Sequence, residues 1–215
     1  MRMSHVILAY SRLPRQLPEG VRARWRARLT PLRAARLNTD ENAQSQSLLG
    51  LALACRLLSR ASGRPVEPGE LRYSSTGKPH VSGLPQFSIA HAGAWVVCAL
   101  SSDGAVGVDI EPLVPSTALP RWLTVFDGEE RAAARSAHVA LSIWATKEAV
   151  LKAAGAPFAE LARVRVRGRQ VEFRGRRWHT RAPRVAPRLI ARLVTERPVT
   201  RLVLRAVPAM AALAS

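Results

Sequence analysis

The sharpest chemical signal in the chain is Gly107-Val108-Asp109-Ile110-Glu111. On a strand, side chains alternate, so Asp109 and Glu111 share one face while Val108 and Ile110 point to a core. Two neighbouring carboxylates repel, and a hard divalent cation with oxygen ligands makes such a pair tolerable. Two solvated acids at a strand end explain the same pentapeptide equally well. A second set lies in Trp144-Ala145-Thr146-Lys147-Glu148-Ala149-Val150-Leu151-Lys152-Ala153. On a helix, Trp144, Glu148 and Lys152 fall on one face, with acid before base in the favourable order, and Trp144 sets that face against other protein. Alone, the Glu148–Lys152 pair reads as an ordinary surface pair. A third set is Gly77-Lys78-Pro79-His80, followed by Phe87-Ser88-Ile89-Ala90-His91-Ala92-Gly93. Its first part is a stiff turn with one ammonium for a phosphate. His91, expected in a tight loop between strands, can donate to a phosphate oxygen or satisfy a core carbonyl.

Several elements must position these residues. Residues 4–10 read as a strand and residues 21–29 as a short helix with Val21, Trp25 and Leu29 on one face. Thr30-Pro31 reads as an N-cap followed by proline at the first position of another short helix. Asp40 caps a helix to about Ser62 that Gly63 ends, with Leu48, Leu49, Ala52, Cys55 and Leu58 along its buried stripe. Strands are expected at 87–89, 95–100 and 106–111. Beyond Pro112, Asp127 with Glu130 fits the head of one helix, and a second covers roughly 140–154. Strands at 164–167, 170–174, 188–194 and 199–207 close the chain, and residues 209–215 read as a frayed tail. The fold class is therefore α+β, divided into an N-terminal half, residues 1–111, and a C-terminal half, residues 112–215.

The 215 residues carry 47% hydrophobic and 22% charged side chains, which excludes a wholly disordered protein. No apolar run approaches the ~20 residues of a membrane span. The opening residues are too short for a signal h-region and read as strand. Cys55 and Cys98 lack metal-ligand spacing and read as buried free thiols of a cytoplasmic protein. Thirty-three Lys and Arg against 15 Asp and Glu give a net charge of +18, which attracts polyanions: nucleic acid, phosphorylated small molecules or an acidic protein. The arginines are scattered, so charge alone selects no partner. Aromatics are only 5%, with no clustered basic helix, which places a nucleic-acid-binding module behind an enzyme. Only three lysines occur, Lys78, Lys147 and Lys152, and each lies in one of the segments above.

Taken in order, Gly-Lys-Pro, Phe-x-x-x-His-x-Gly, Gly-x-Asp-x-Glu and Trp-x-x-Lys-Glu-Ala-x-x-Lys-Ala resemble the 4′-phosphopantetheinyl transferases, in their larger form that activates peptide and polyketide synthases. The motifs span Lys78 to Ala153, about a third of the chain. The resemblance implies transfer of the phosphopantetheine arm of coenzyme A to a serine of an apo acyl or peptidyl carrier protein, releasing adenosine 3′,5′-bisphosphate. It implies two similar α+β halves in a pseudo-twofold arrangement, with coenzyme A in the cleft between them, acting as a monomer. Asp109, Glu111 and Glu148 would hold Mg²⁺, with Mn²⁺ as the alternative. Asp109, Glu148 and Lys152 would be catalytic: Glu148 as base for the serine, and Lys152 neutralising charge on the pyrophosphate. Lys78, Pro79, His91, Arg33, Ser47 and Lys152 would contact coenzyme A.

Ala90 and Gln46 depart from the family pattern, which implies a lost hydroxyl donor and a lost charge near the phosphates. Ser88 stands where Asn is frequent. Lys147 receives no chemical step, and Trp144 is expected to fix its helix. The basic surface would suit an acidic carrier protein, with the region from Thr117 to Ser136 as its contact. The competing reading is a binder of coenzyme A or carrier protein without turnover.

Overall fold

Local chemistry starts and stops the helices. The computed structural model describes residues 4–37, 39–113 and 123–214. Asp40 Oδ1 accepts from the Ala43 amide at 2.8 Å and opens helix α3 (Glu41–Ser62), which Gly63 ends in the left-handed region at φ 72°. Ahead of it lie α1 (Glu19–Ala27) and α2 (Pro31–Ala35), the latter capped by Thr30 with proline at its first position. Asp127 and Glu130 form a reciprocal capping box at α4 (Gly128–Ala133). Ser136 caps α5 (Ala137–Ala154), and Gly155 closes it at φ 61°.

The strands are β1 (Ser4–Arg12), β2 (Arg72–Tyr73), β3 (Pro79–His80), β4 (Gln86–Ala92), β5 (Trp95–Ser101), β6 (Val106–Pro112), β7 (Arg165–Arg167), β8 (Gln170–Phe173), β9 (Arg176–Arg181), β10 (Leu189–Thr195) and β11 (Val199–Ala206). They form a four-stranded sheet in the order β11-β1-β5-β4, a five-stranded sheet in the order β6-β10-β9-β8-β7, and the β2-β3 pair. Among the described residues, only β1 and β11 run parallel.

Three apolar clusters define the layers. Leu48, Leu49 and Ala52 of α3 pack on Phe87, Val96 and Cys98 of the first sheet. Val6, Leu8, Val97 and Ala99 of that sheet meet Val108, Ile110 and Leu193 of the second. Leu141, Ala145 and Val150 of α5 cover Ile190 and Val194 on the far side. The order is helix, sheet, sheet, helix, an α+β arrangement whose strands are buried on both faces wherever a helix covers them.

The strand pairing does not follow the expected division after residue 111. β6 lies before that division yet joins the second sheet through β10, and β11 lies after it yet joins the first sheet through β1. Strand hydrogen bonds thus tie each half of the chain to the other's sheet.

Three local expectations also change. Residues 176–181, read as a connection, form β9, joined to β8 by a two-residue turn with positive φ at Arg174 and Gly175. Their signal was hidden because Trp178 is the only buried side chain in an arginine-rich run. The supposed frayed tail contains α6 (Ala209–Leu213), where Ala212 and Leu213 are buried and the Leu213 carbonyl accepts from Trp25 Nε1 at 2.9 Å. His91 lies within β4, and the turn falls one residue beyond that strand, at Gly93.

Candidate functional site

The site is built where α5 crosses β6, and Gly107 permits the crossing. A Cβ at Gly107 would stand 1.9 Å from the Ala149 carbonyl oxygen and 2.6 Å from the Ala153 amide nitrogen. Only a hydrogen fits, so the helix backbone rests directly on the strand. That approach brings Lys152 Nζ to 2.6 Å from Asp109 Oδ1, with Glu148 Oε2 at 3.9 Å from the same nitrogen. One turn earlier, Trp144 Nε1 donates to Glu111 Oε1 at 2.9 Å. The Asp109–Glu111 face and the Trp144–Glu148–Lys152 face therefore meet, while Val108 and Ile110 fill the layer between the sheets. The sequence placed Trp144 as a helix anchor only; its indole also orients a carboxylate.

Burial and mutual repulsion set the charges here. Glu111 is pushed up to about 7 by burial and then by Asp109 and Glu148. Glu148 is likewise pushed up to about 7, by burial first and Asp109 second. Burial also raises the Asp109 carboxyl against the pull of Lys152. For Lys152 burial works the other way, but Asp109 and Glu148 outweigh it and hold the ammonium above its ordinary value. Asp109 Oδ2 is buried without a hydrogen-bond partner.

An open carboxylate oxygen beside two mutually repelling carboxyls is the donor chemistry of a hard cation. As placed, though, no three His, Cys, Asp or Glu among the described residues close into a metal-ligand set. The Lys152 ammonium supplies the positive charge between Asp109 and Glu148.

Two adjoining cavities open on this junction. One of about 310 Å³ is lined by Glu148, Lys152, Thr76, Lys78, Ser88 and Phe158. The other, of about 830 Å³, is lined by Arg33, Arg36, Ser47, Arg72, Tyr73 and His91. Gly77, Pro79 and Ile89 line both. Every residue expected to contact coenzyme A thus borders one cavity or the other. Arg36, Arg72 and Tyr73 were missed, although Arg72-Tyr73 directly precedes the Ser74–Pro79 turn. The Arg33 guanidinium lies over the Tyr73 ring, 5.4 Å from its centroid. His91, exposed at the cavity edge, is pushed down by the desolvation its neighbours impose and by the Lys152 charge.

Lys78 is placed differently from a free phosphate ligand. Its ammonium donates to the Ala153 carbonyl at 2.8 Å, and burial pushes it down to about 8. Thr76 Oγ1 donates to the Gly155 carbonyl at 3.0 Å, so this loop satisfies carbonyls at the end of α5. Gln46 Nε2 donates to the Gly93 carbonyl at 2.6 Å and braces the β4–β5 turn. Ala90 is buried between the sheets and lines neither cavity, so its expected cost in phosphate contacts has no counterpart in the geometry. Ser88 Oγ accepts from the Val108 amide at 3.1 Å, which joins β4 to β6 beside the site.

Lys147 is structural. Its ammonium is fully buried, 2.8 Å from Glu130 Oε2, and donates to the Val164 carbonyl. Glu130 also accepts from the amides of Asp127 and Val166. The pair staples α5 to α4 and to the start of β7. Of the region from Thr117 to Ser136, residues 117–122 lie outside the described residues, and α4 presents Arg131 at the surface.

Comparison with known proteins matches the segment that holds these residues. Residues 105–199, which hold Asp109, Glu111, Glu148 and Lys152, match the family model of the 4′-phosphopantetheinyl transferase superfamily. A 4′-phosphopantetheinyl transferase of Bacillus subtilis is 29% identical over 120 residues, 51% of this chain and 52% of that one. The 4′-phosphopantetheinyl transferase Sfp of Bacillus subtilis (strain 168) is 36% identical over 74 residues, covering 33% and 32%. The 4′-phosphopantetheinyl transferase gsp of Aneurinibacillus migulanus is 41% identical over 66 residues, covering 31% and 27%. The chain spans about half the length of the first of these relatives and about a third or less of the other two. Over this matched segment, which carries the side chains of the site, the chain is similar to the 4′-phosphopantetheinyl transferase superfamily and to relatives of the Sfp type.

Proposed function

We propose that the protein transfers the 4′-phosphopantetheine group of coenzyme A to a serine of an apo acyl or peptidyl carrier protein. The observation that carries this reading is the meeting of Asp109, Glu111, Glu148 and Lys152 beside two adjoining cavities, one of them lined by three arginines. The nucleotide end of coenzyme A would lie in the larger cavity, with Arg33, Arg36, Arg72 and His91 toward its phosphates and Ser47 and Pro79 beside it. Lys78 would hold the loop that shapes both cavities and border the pyrophosphate.

The serine oxygen attacks the phosphorus that bears the pantetheine arm, and the bond to the bridging pyrophosphate oxygen breaks. Adenosine 3′,5′-bisphosphate leaves. Glu148, raised to about 7, accepts the serine proton at neutral pH. Lys152, held protonated by its carboxylate neighbours, neutralises charge on the departing phosphate. Asp109 positions Lys152 through their 2.6 Å contact, and Trp144 holds Glu111.

A divalent cation, Mg²⁺ or Mn²⁺, held by Asp109, Glu111 and Glu148, would supply further neutralisation of the pyrophosphate. The two helix-on-sheet units are proposed as a pseudo-twofold pair, built from residues 1–111 and 112–215 with β6 and β11 exchanged between them. The protein is proposed to act as a cytoplasmic monomer on an acidic carrier.

Mass spectrometry of an apo carrier protein incubated with coenzyme A, the protein and Mg²⁺ tests the reading. The expected result is a gain of one phosphopantetheine arm, lost with EDTA and in Glu148→Ala. No gain on any of several carrier proteins, by a folded protein that binds coenzyme A, would instead support the binder without turnover. A gain that survives EDTA would remove the cation from the proposal.

A further inference from the structure

The acids of this chain are all engaged, and that isolates a second basic cavity. None of the 15 Asp and Glu falls outside the described residues. Fourteen contact a basic side chain, a capped amide or both, and Glu111 accepts from Trp144. The excess arginines must therefore find their counter-charge in solvent or in a ligand.

Three of them converge on a cavity of about 500 Å³ between the N-terminal half of α5 and the sheet strands β9 and β10. Arg192, Ser142 and Thr146 form its inner part, and His138, Arg169 and Arg181 stand exposed at its mouth. No acidic side chain lines it, and among the described residues none lines both it and either cavity of the candidate site.

The guanidinium donors in this cavity are only partly used. Arg192 donates to the Ala191 carbonyl and Arg181 to the Val199 carbonyl, and neither forms an ion pair among the described residues. A guanidinium carries five N–H donors, so each retains capacity for an anion. Ser142 Oγ is buried with no hydrogen-bond partner. Neighbouring Arg167, by contrast, already contacts Asp127, Glu129 and Glu130. Half-buried Arg192 has its pKa lowered by desolvation, as expected of a cation without a counter-ion.

We propose that this cavity binds a small organic phosphate at a site separate from the Glu148–Lys152 groove. Three guanidinium groups, an imidazole and a hydroxyl outnumber the acceptors of a single carboxylate, whereas a phosphate monoester presents three oxygens and close to two charges. Val139 and Ile143 supply an apolar wall for its organic part. The volume lies within the range of small-molecule sites. Arg192 pairs in register with Asp109 across β10 and β6, so an occupant of this cavity would lie one strand from the candidate active site.

Isothermal titration with phenyl phosphate at fixed ionic strength tests the assignment. One saturable site is expected to persist in Arg33→Met, which impairs the other phosphate cavity. Affinity should fall at least tenfold in Arg192→Met and in Arg169→Met, the latter at the surface and without risk to the fold. Arg165→Met, exposed on β7 outside the cavity, should bind as the wild type does. Inorganic phosphate should bind more weakly than phenyl phosphate. Loss of the site in Arg33→Met, an equal loss in Arg165→Met or no saturable binding would each overturn the proposal. Equal affinity for inorganic phosphate would overturn its organic part.

Discussion

Replacing Gly107 by alanine tests whether one hydrogen atom holds the candidate site together. The added Cβ would sit 1.9 Å from the Ala149 carbonyl oxygen, a backbone atom that cannot rotate away. Restoring a carbon–oxygen separation of about 3.3 Å requires α5 and β6 to part by about 1.4 Å. If Lys152 moves with its helix, its 2.6 Å contact with Asp109 lengthens to about 4 Å, beyond hydrogen-bonding range. Overpacking of this kind costs about 1–3 kcal/mol of stability. A misplacement near 1 Å costs on the order of 100-fold in rate. Urea unfolding followed by tryptophan fluorescence reads the first, and carrier modification by the still-folded variant reads the second. Gly20→Ala is the control, because nothing lies within 4 Å of its Cβ and the position is helical. A Gly107→Ala protein with wild-type stability and wild-type transfer would show that α5 does not rest on β6 as described, and the derivation of the site would fail.

Two further outcomes follow from the buried charges. Lys147→Met should cost about 3–5 kcal/mol by leaving Glu130 buried without its cation. The double variant Lys147→Met/Glu130→Leu should recover much of that loss in the same unfolding assay; no recovery would refute the staple. Glu111 and Glu148 are raised from 4.5 to about 7, so the folded state holds extra protons between those values. Their contribution to stability is then present at low pH and lost as pH rises through about 7. In EDTA, wild type should lose on the order of 1–3 kcal/mol between pH 5 and 8 relative to Glu148→Gln. Mg²⁺ should restore stability chiefly at the higher pH. Equal pH profiles for the two proteins would refute the clustering of the carboxylates.

Much of this protein is legible without coordinates because its signals are local. Asp40 and Gly63 bound α3, Gly155 ends α5, and Asp127 with Glu130 caps α4, each through contacts within a few residues. The period of two placed Asp109 with Glu111, and the period of four placed Trp144 with Glu148 and Lys152. Neither periodicity could say that the two faces meet, since that depends on α5 crossing β6 at Gly107, 42 residues before Ala149 in the chain. Lys147 and Lys152 look alike in the sequence, five positions apart on one helix. Packing alone sends one to Glu130 in the core and the other to Asp109 at the cavity. The exchange of β6 and β11 between the sheets was likewise invisible, because strand pairing across roughly 80 to 200 residues leaves no mark on local pattern. The sequence by itself determined which residues were equipped for chemistry and which elements carried them. The tertiary structure decided which of those residues stand together, because burial and close backbone contact depend on partners distant in the chain.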